Sequence, residues 1–151
     1  MEMRETAVLD LPVSRVWRAL NDPDILKLCV PGCEEIKVID TTNYTAKATI
    51  KVGFISSKFD NILVKKIKSV ENELLAFEMT GEDRNKIGSF KQNLEIKMSP
   101  AGSSENHQTS IEIKANVDLK GKFATLGKRI VEWKAKKVTE EFVENLRKIA
   151  E

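Results

Sequence analysis

The chain changes its hydrophobic period part-way along, and that change constrains its fold more than any other feature. Through the middle of the sequence, apolar and polar residues alternate with a period of two. Tyr44, Ala46, Ala48, Ile50 and Val52 alternate with Thr45, Lys47, Thr49 and Lys51. Leu75, Phe77 and Met79 alternate with Ala76 and Glu78, and Ile111, Ile113, Ala115, Val117 and Leu119 with Glu112, Lys114, Asn116 and Asp118. Phe90, Leu94, Ile96 and Met98 follow the same rule, with Gln92 interrupting the apolar side. Strands of this kind have one dry and one wet face, as in an antiparallel sheet. Met3 to Leu9 and Ile36 to Val38 read as further strands, and Phe59 to Ile67 as one whose inward face the pattern leaves ambiguous.

Helical spacing frames this region. After Pro12, Val13, Val16, Trp17 and Leu20 share one face of a short helix. Asp22-Pro23 caps a second, with Ile25, Leu26 and Cys29 on its buried side and Pro31-Gly32 as the turn that ends it. Towards the C-terminus, Phe123, Leu126, Gly127, Ile130, Val131, Val138, Phe142, Leu146 and Ile149 form one stripe, opposite Lys128, Glu132, Lys136, Glu140 and Glu144. A helix over this stretch would be about 40 Å long. The expected fold is α+β: a seven-stranded curved antiparallel sheet wrapped around a long C-terminal helix, with two short helices after strand 1, in one domain spanning residues 1–151. A sheet of that width coils. One straight helix cannot fill its concave face, so the short helices must help, and a hydrophobic cavity is a natural result.

Charge and composition remove several functional classes. Lys+Arg 25 against Asp+Glu 23 is too balanced for an electrostatic nucleic-acid binder. No apolar run is long enough for a transmembrane helix. The opening MEMRETAVLDLP is not a secretory signal, and two cysteines without an export signal point to a reducing cytoplasm. Without export, the glycosylation sequon Asn43-Tyr44-Thr45 has no meaning. The polar stretch Pro100 to Gln108 reads as a hairpin loop.

Side chains that carry chemistry are sparse. Cys29 and Cys33 lack the further ligands that a metal site needs, and His107 lies in a polar loop without an acid partner. Glu34-Glu35 and Glu140-Glu141 are adjacent carboxylates that do not face each other. Glu82-Asp83-Arg84 reads as a charged hairpin tip. Lys128, Arg129, Lys134, Lys136 and Lys137, with Glu132 alone opposing them, form a basic segment open to anionic lipid, an acidic partner or plain solvent. No phosphate loop, nucleophile elbow or zinc-helix motif is present, so neither catalysis by this chain alone nor any metal or cofactor is expected.

The candidate functional region is therefore the cavity. Its expected lining begins with Trp17, Leu20, Tyr44, Ala46, Ala48 and Ile50. It continues through Phe59, Asn61, Phe77, Met79, Phe90, Gln92 and Ile113 to Phe123, Leu126 and Ile130. Tyr44, Asn61 and Gln92 are the polar candidates for orienting a ligand. The apolar members would serve equally as plain core, and the pattern leaves both readings open.

Several segments resemble a known family. Val16-Trp17-Arg18-Ala19-Leu20-Asn21-Asp22-Pro23, Leu26 and Cys29-Val30-Pro31-Gly32-Cys33 look like the signature of the CoxG family, the G subunit of carbon monoxide dehydrogenase. Val52-Gly53 through Lys58-Phe59, then Gly81, Gly88 and Phe90, and the stretch Gly121-Lys122-Phe123-Ala124-Thr125-Leu126-Gly127 extend the likeness over essentially the whole chain. The resemblance implies the SRPBCC superfamily and the helix-grip fold of START lipid-binding domains, polyketide cyclases and the birch-pollen allergen. It further implies a non-catalytic accessory protein that binds a hydrophobic small molecule, quinone- or lipid-like. That protein would serve a CO-dehydrogenase-like molybdenum hydroxylase in recruitment or electron-acceptor supply. Family members often carry a membrane-binding tail after the long helix. This sequence ends at Glu151, so the expectation is peripheral membrane contact at most, in the cytoplasm or at the inner membrane face. A homodimer is left open. Asp60-Asn61 stands where the family commonly has Gly, so the pocket mouth is expected to differ. Two other classes stay open: a polyketide cyclase/aromatase-like enzyme, and a surface-only docking factor with a filled core.

Overall fold

The alternating segments form one antiparallel sheet in the computed structural model of the protein, which describes residues 1–102 and 107–150. The strands are β1 (Glu2–Leu9), β2 (Cys33–Val38), β3 (Asn43–Val52), β4 (Ile55–Val70), β5 (Leu74–Glu82), β6 (Gly88–Ala101) and β7 (Gln108–Gly121). They lie in the order β1-β7-β6-β5-β4-β3-β2, so only β1 pairs with a strand far from it in sequence. Helices α1 (Val13–Leu20) and α2 (Pro23–Cys29) follow β1, and α3 (Lys128–Ala150) closes the chain. The start of α2 is built as its sequence dictates: Pro23 opens the helix, and the Asp24 amide donates to the Asp22 carboxylate at 3.0 Å.

β4 explains its own ambiguous pattern. Ala48 pairs with Phe59 but Ala46 pairs with Ile62, so β4 uses one residue more than β3 over that interval. This β-bulge at Asp60-Asn61 moves the inward face from Ser57 and Phe59 to Ile62 and Val64. No single alternation could describe both halves. The Arg84 guanidinium braces the bulge from the neighbouring loop, donating to both Asp60 carboxylate oxygens at 2.8 Å.

Two other expectations need correction. The strands run into the stretch read as a loop, because Pro100 pairs with Thr109 and Ala101 with Gln108. Residues 103–106 of that stretch lie outside the described residues. The terminal stripe is also not one helix. Lys122–Thr125 is a 3-10 turn, Leu126 is extended, and α3 begins only at Lys128 and has 23 residues. Helical phase is not carried across Gly127. Val131, Phe142, Val143 and Leu146 are buried, whereas Ile130 is exposed.

The core divides in two. Leu9, Leu11, Val16, Leu20, Leu75, Phe142 and Leu146 belong to one cluster, packed between α1, α2, the sheet and the C-terminal half of α3. Phe59, Ile62 and Phe123 form a smaller second cluster. Side-chain bonds hold the C-terminal half of α3: Asn145 donates to the Cys29 carbonyl at 3.0 Å, and Arg147 to the Val8 carbonyl at 2.8 Å.

Candidate functional site

A cavity of about 720 Å³ lies where the N-terminal half of α3 passes over β1, β7 and β6. Its inner wall is aromatic. The Phe59 ring meets Phe90 edge-on at 5.3 Å and stacks with Phe123 at 5.8 Å. Two glycines make room for these rings. A Cβ at Gly81 would stand 2.7 Å from the Phe90 ring, and one at Gly88 2.6 Å from Phe123. Phe123 is also positioned by its neighbour, because Lys122 reaches the buried Asp83 carboxylate at 2.9 Å. Asp83 also accepts from the amides of Ile87 and Gly88 at 2.8 and 2.9 Å. Burial alone would raise the Asp83 carboxyl, but the bonds from Lys122 and the two amides outweigh it and hold it below the ordinary carboxylate value. The Glu82-Asp83-Arg84 segment is thus no free charged tip. Asp83 and Arg84 tie the β5–β6 loop to the 3-10 turn and to β4.

The structure brings seven of the sixteen expected residues onto the cavity wall: Ile50, Phe59, Phe90, Gln92, Ile113, Phe123 and Leu126. The other nine lie elsewhere. Trp17 and Leu20 belong to the α1 plug over the larger core cluster, and Phe77 is buried in that cluster. Ala46 and Ala48 pack behind Phe59 and Ile62. Met79 sits beside Gln92 in register, outside the lining. Tyr44 lies under the Lys66 ammonium, 5.6 Å from its ring centre, and Lys66 donates to the Asn21 side chain at 2.8 Å. Asn61 is exposed on the β-bulge, and Ile130 is exposed on α3. Of the three polar candidates, only Gln92 faces the cavity. Its amide makes no hydrogen bond with any other described residue.

Sequence reasoning missed the β1 side of the wall, which includes Met3, and on β7 it placed Ile113 but missed Val117 and Leu119. The β7 alternation carried that signal for Val117 and Leu119. Trp133 was missed because it lies off the apolar stripe. It lines the cavity and is still 61% exposed, with Lys137 5.7 Å from its ring centre. Charged residues also line the cavity: Arg129, Glu132, Lys134 and Lys136 from α3, and Glu2, Arg4 and Glu5 from β1. The β3–β4 turn beside it holds Phe54, 94% exposed, and a Cβ at the adjacent Gly53 would lie 3.7 Å from Ile130.

Other candidates for chemistry are quiet. Cys29 and Cys33 are free thiols, and burial pushes both pKa values up, which disfavours the reactive thiolate. His107 is exposed. Among the described residues, no group of three or more His, Cys, Asp or Glu could hold a metal ion, and no helix is long and apolar enough to cross a membrane.

The sequence matches the family described as the G subunit of carbon monoxide dehydrogenase (CoxG) over residues 9–150. The chain belongs to the CoxG family. Solved structures agree on the fold. A conserved protein from Geobacillus kaustophilus superposes with TM-score 0.89 at 21% identity, covering 99% of this chain and 95% of its own. A START superfamily protein from Mycobacterium smegmatis gives TM-score 0.69 at 13% identity, with coverage of 97% and 94%. The protein Ara h 8.0201 gives 0.67 at 13%, with coverage of 99% and 97%. Comparison with curated proteins finds no match. The CoxG chain therefore has a START-like helix-grip fold, in which a curved antiparallel sheet holds a long terminal helix.

Proposed function

We propose that this protein binds a hydrophobic small molecule, quinone- or lipid-like, as a non-catalytic accessory factor of a CO-dehydrogenase-type molybdenum hydroxylase. The observation that carries the reading is the cavity of about 720 Å³, with its Phe59, Phe90 and Phe123 wall and the Gln92 side-chain amide, which has no hydrogen-bond partner among the described residues. Pockets for small molecules are mostly apolar with a few placed polar groups. Desolvation drives binding: burying about 300 Å² of apolar ligand surface contributes roughly 7 kcal/mol before the costs of ordering. Gln92 adds direction, since a primary amide can donate to a ligand carbonyl or accept from a hydroxyl. The rim fits uptake at an anionic membrane surface. Phe54 and Trp133 are aromatic groups suited to the interface, and the N-terminal half of α3 is strongly basic.

Mass spectrometry of lipophilic extracts from protein purified without detergent tests the cargo. A stoichiometric quinone or lipid is expected, and a persistently empty protein would instead favour a docking factor. Turnover of a polyketide that disappears in Gln92→Leu would make the protein an enzyme. Co-purification with a molybdenum hydroxylase tests the partner separately.

A further inference from the structure

The cavity does not end at its aromatic wall. A second hollow of about 450 Å³ lies farther along α3, between that helix and the edge strand β1. The two hollows share Glu5 of β1, Ile113 of β7 and Thr139 of α3. They therefore meet at one cross-section, with one residue from each of three elements around it. Measured along the helix, the cavity runs about 15 Å from Arg129 to Thr139, and the second hollow adds about 12 Å as far as Arg147. We infer that the seam between β1 and α3 is a tail subsite, so that the cavity takes an extended apolar chain whose polar head stays near Gln92 and the mouth.

The chemistry of the seam supports a chain rather than a second polar ligand. Ala7, Ile113 and Val143 give its floor an apolar surface. The Thr139 hydroxyl is already satisfied by the Ala135 carbonyl at 2.9 Å, so it asks nothing of a ligand. Glu5 shares the inward side of β1 with Ala7 and remains half-exposed, so its methylenes can line the seam while its carboxylate reaches water. A carboxylate at that point also repels an anionic group, which keeps an acidic head at the basic mouth. Glu140, Glu144 and Arg147 form the charged outer rim, and they mark where added chain length stops being buried. Ile113 and Thr139 are then specificity-determining residues for chain length.

This inference rests on the carrier reading, and one experiment separates the two. Decanol and hexadecanol are titrated against protein loaded with anilinonaphthalenesulfonate, and displacement is followed by fluorescence. Each further buried methylene adds affinity, so hexadecanol should bind at least about tenfold more tightly than decanol. Ala7 lines the seam but not the main cavity, so Ala7→Leu should abolish that gain and leave decanol binding unchanged. Thr139→Trp, at the junction of the two hollows, narrows the seam from the opposite wall and should reduce the gain as well, which guards against a folding defect in one variant. A gain that survives both substitutions, or no gain in the unmodified protein, overturns the tail subsite while the carrier reading stands. If neither alcohol displaces the dye, the carrier reading falls and takes the subsite with it.

Discussion

The two halves of α3 lie over the same sheet with opposite results. The C-terminal half buries Phe142, Val143 and Leu146 against Leu9, Leu11, Val16, Leu20 and Leu75, and Leu146 is 0% exposed. The N-terminal half buries Val131, leaves Ile130 and Trp133 in solvent and roofs a cavity. The difference lies in what else fills the concave face. At one end, α1 and α2 insert Val16, Leu20 and Cys29 beneath the helix. At the other, only a 3-10 turn is available, and it supplies Phe123. A curved sheet around a straight rod leaves space at both ends; here the plug fills the concave face at one end, where the seam on the β1 side of the helix stays open.

Substitutions can break or sharpen this contrast. The largest effect should come from Leu146→Ala, which opens a void where packing is tight and should cost about 3 kcal/mol in urea unfolding. Val131→Ala, which enlarges a space already present, should cost less than half as much. Equal losses would mean that the two ends are packed alike. Next, Gly88→Ala forces a methyl against the Phe123 ring and should cost about 2 kcal/mol by the same measurement. A neutral result there would show that the aromatic wall is loose.

A smaller effect should appear with pH. The Asp83 carboxyl is depressed in the folded protein, so its stabilisation is full above the ordinary value of 3.8 and is lost as pH falls through the lower folded value. Asp83→Asn should therefore flatten the acid side of the stability profile below that value. An acid limb identical to that of the unmodified protein would contradict the role given to the Lys122 and amide bonds. The smallest change in stability should come from Gln92→Leu, within about 0.5 kcal/mol, because no protein partner is lost. Hexadecanol binding should nevertheless weaken by roughly tenfold, the worth of one hydrogen bond. Unchanged affinity would remove Gln92 from the site.

The sheet and its three helices were legible because alternation and helical spacing report which side of each element is dry. β4 was not, because the bulge at Asp60-Asn61 reverses parity and two opposite patterns overlap in one strand. Asn61 was misplaced for the same reason. Ile130 was misplaced because the stripe was extended through Gly127 as if the helix were continuous. The cavity between helix and sheet was expected, but its lining was only partly legible. Where space remains depends on which residues fail to reach one another, and a one-dimensional pattern carries no such information. Phe77 and Gln92 share the same inward alternation, yet one lies in solid core and the other on the cavity wall.

The bonds from Asn145 to Cys29 and from Arg147 to Val8 fasten the long helix to the body near its C-terminal end. Among the described residues, the side-chain hydrogen bonds and ion pairs of its first two turns, such as Lys128 with Glu132, stay within the helix. The hold on the helix is thus uneven: moving its C-terminal end would break these bonds as well as the core packing around Leu146, whereas over the cavity the burial given up is mainly that of Val131.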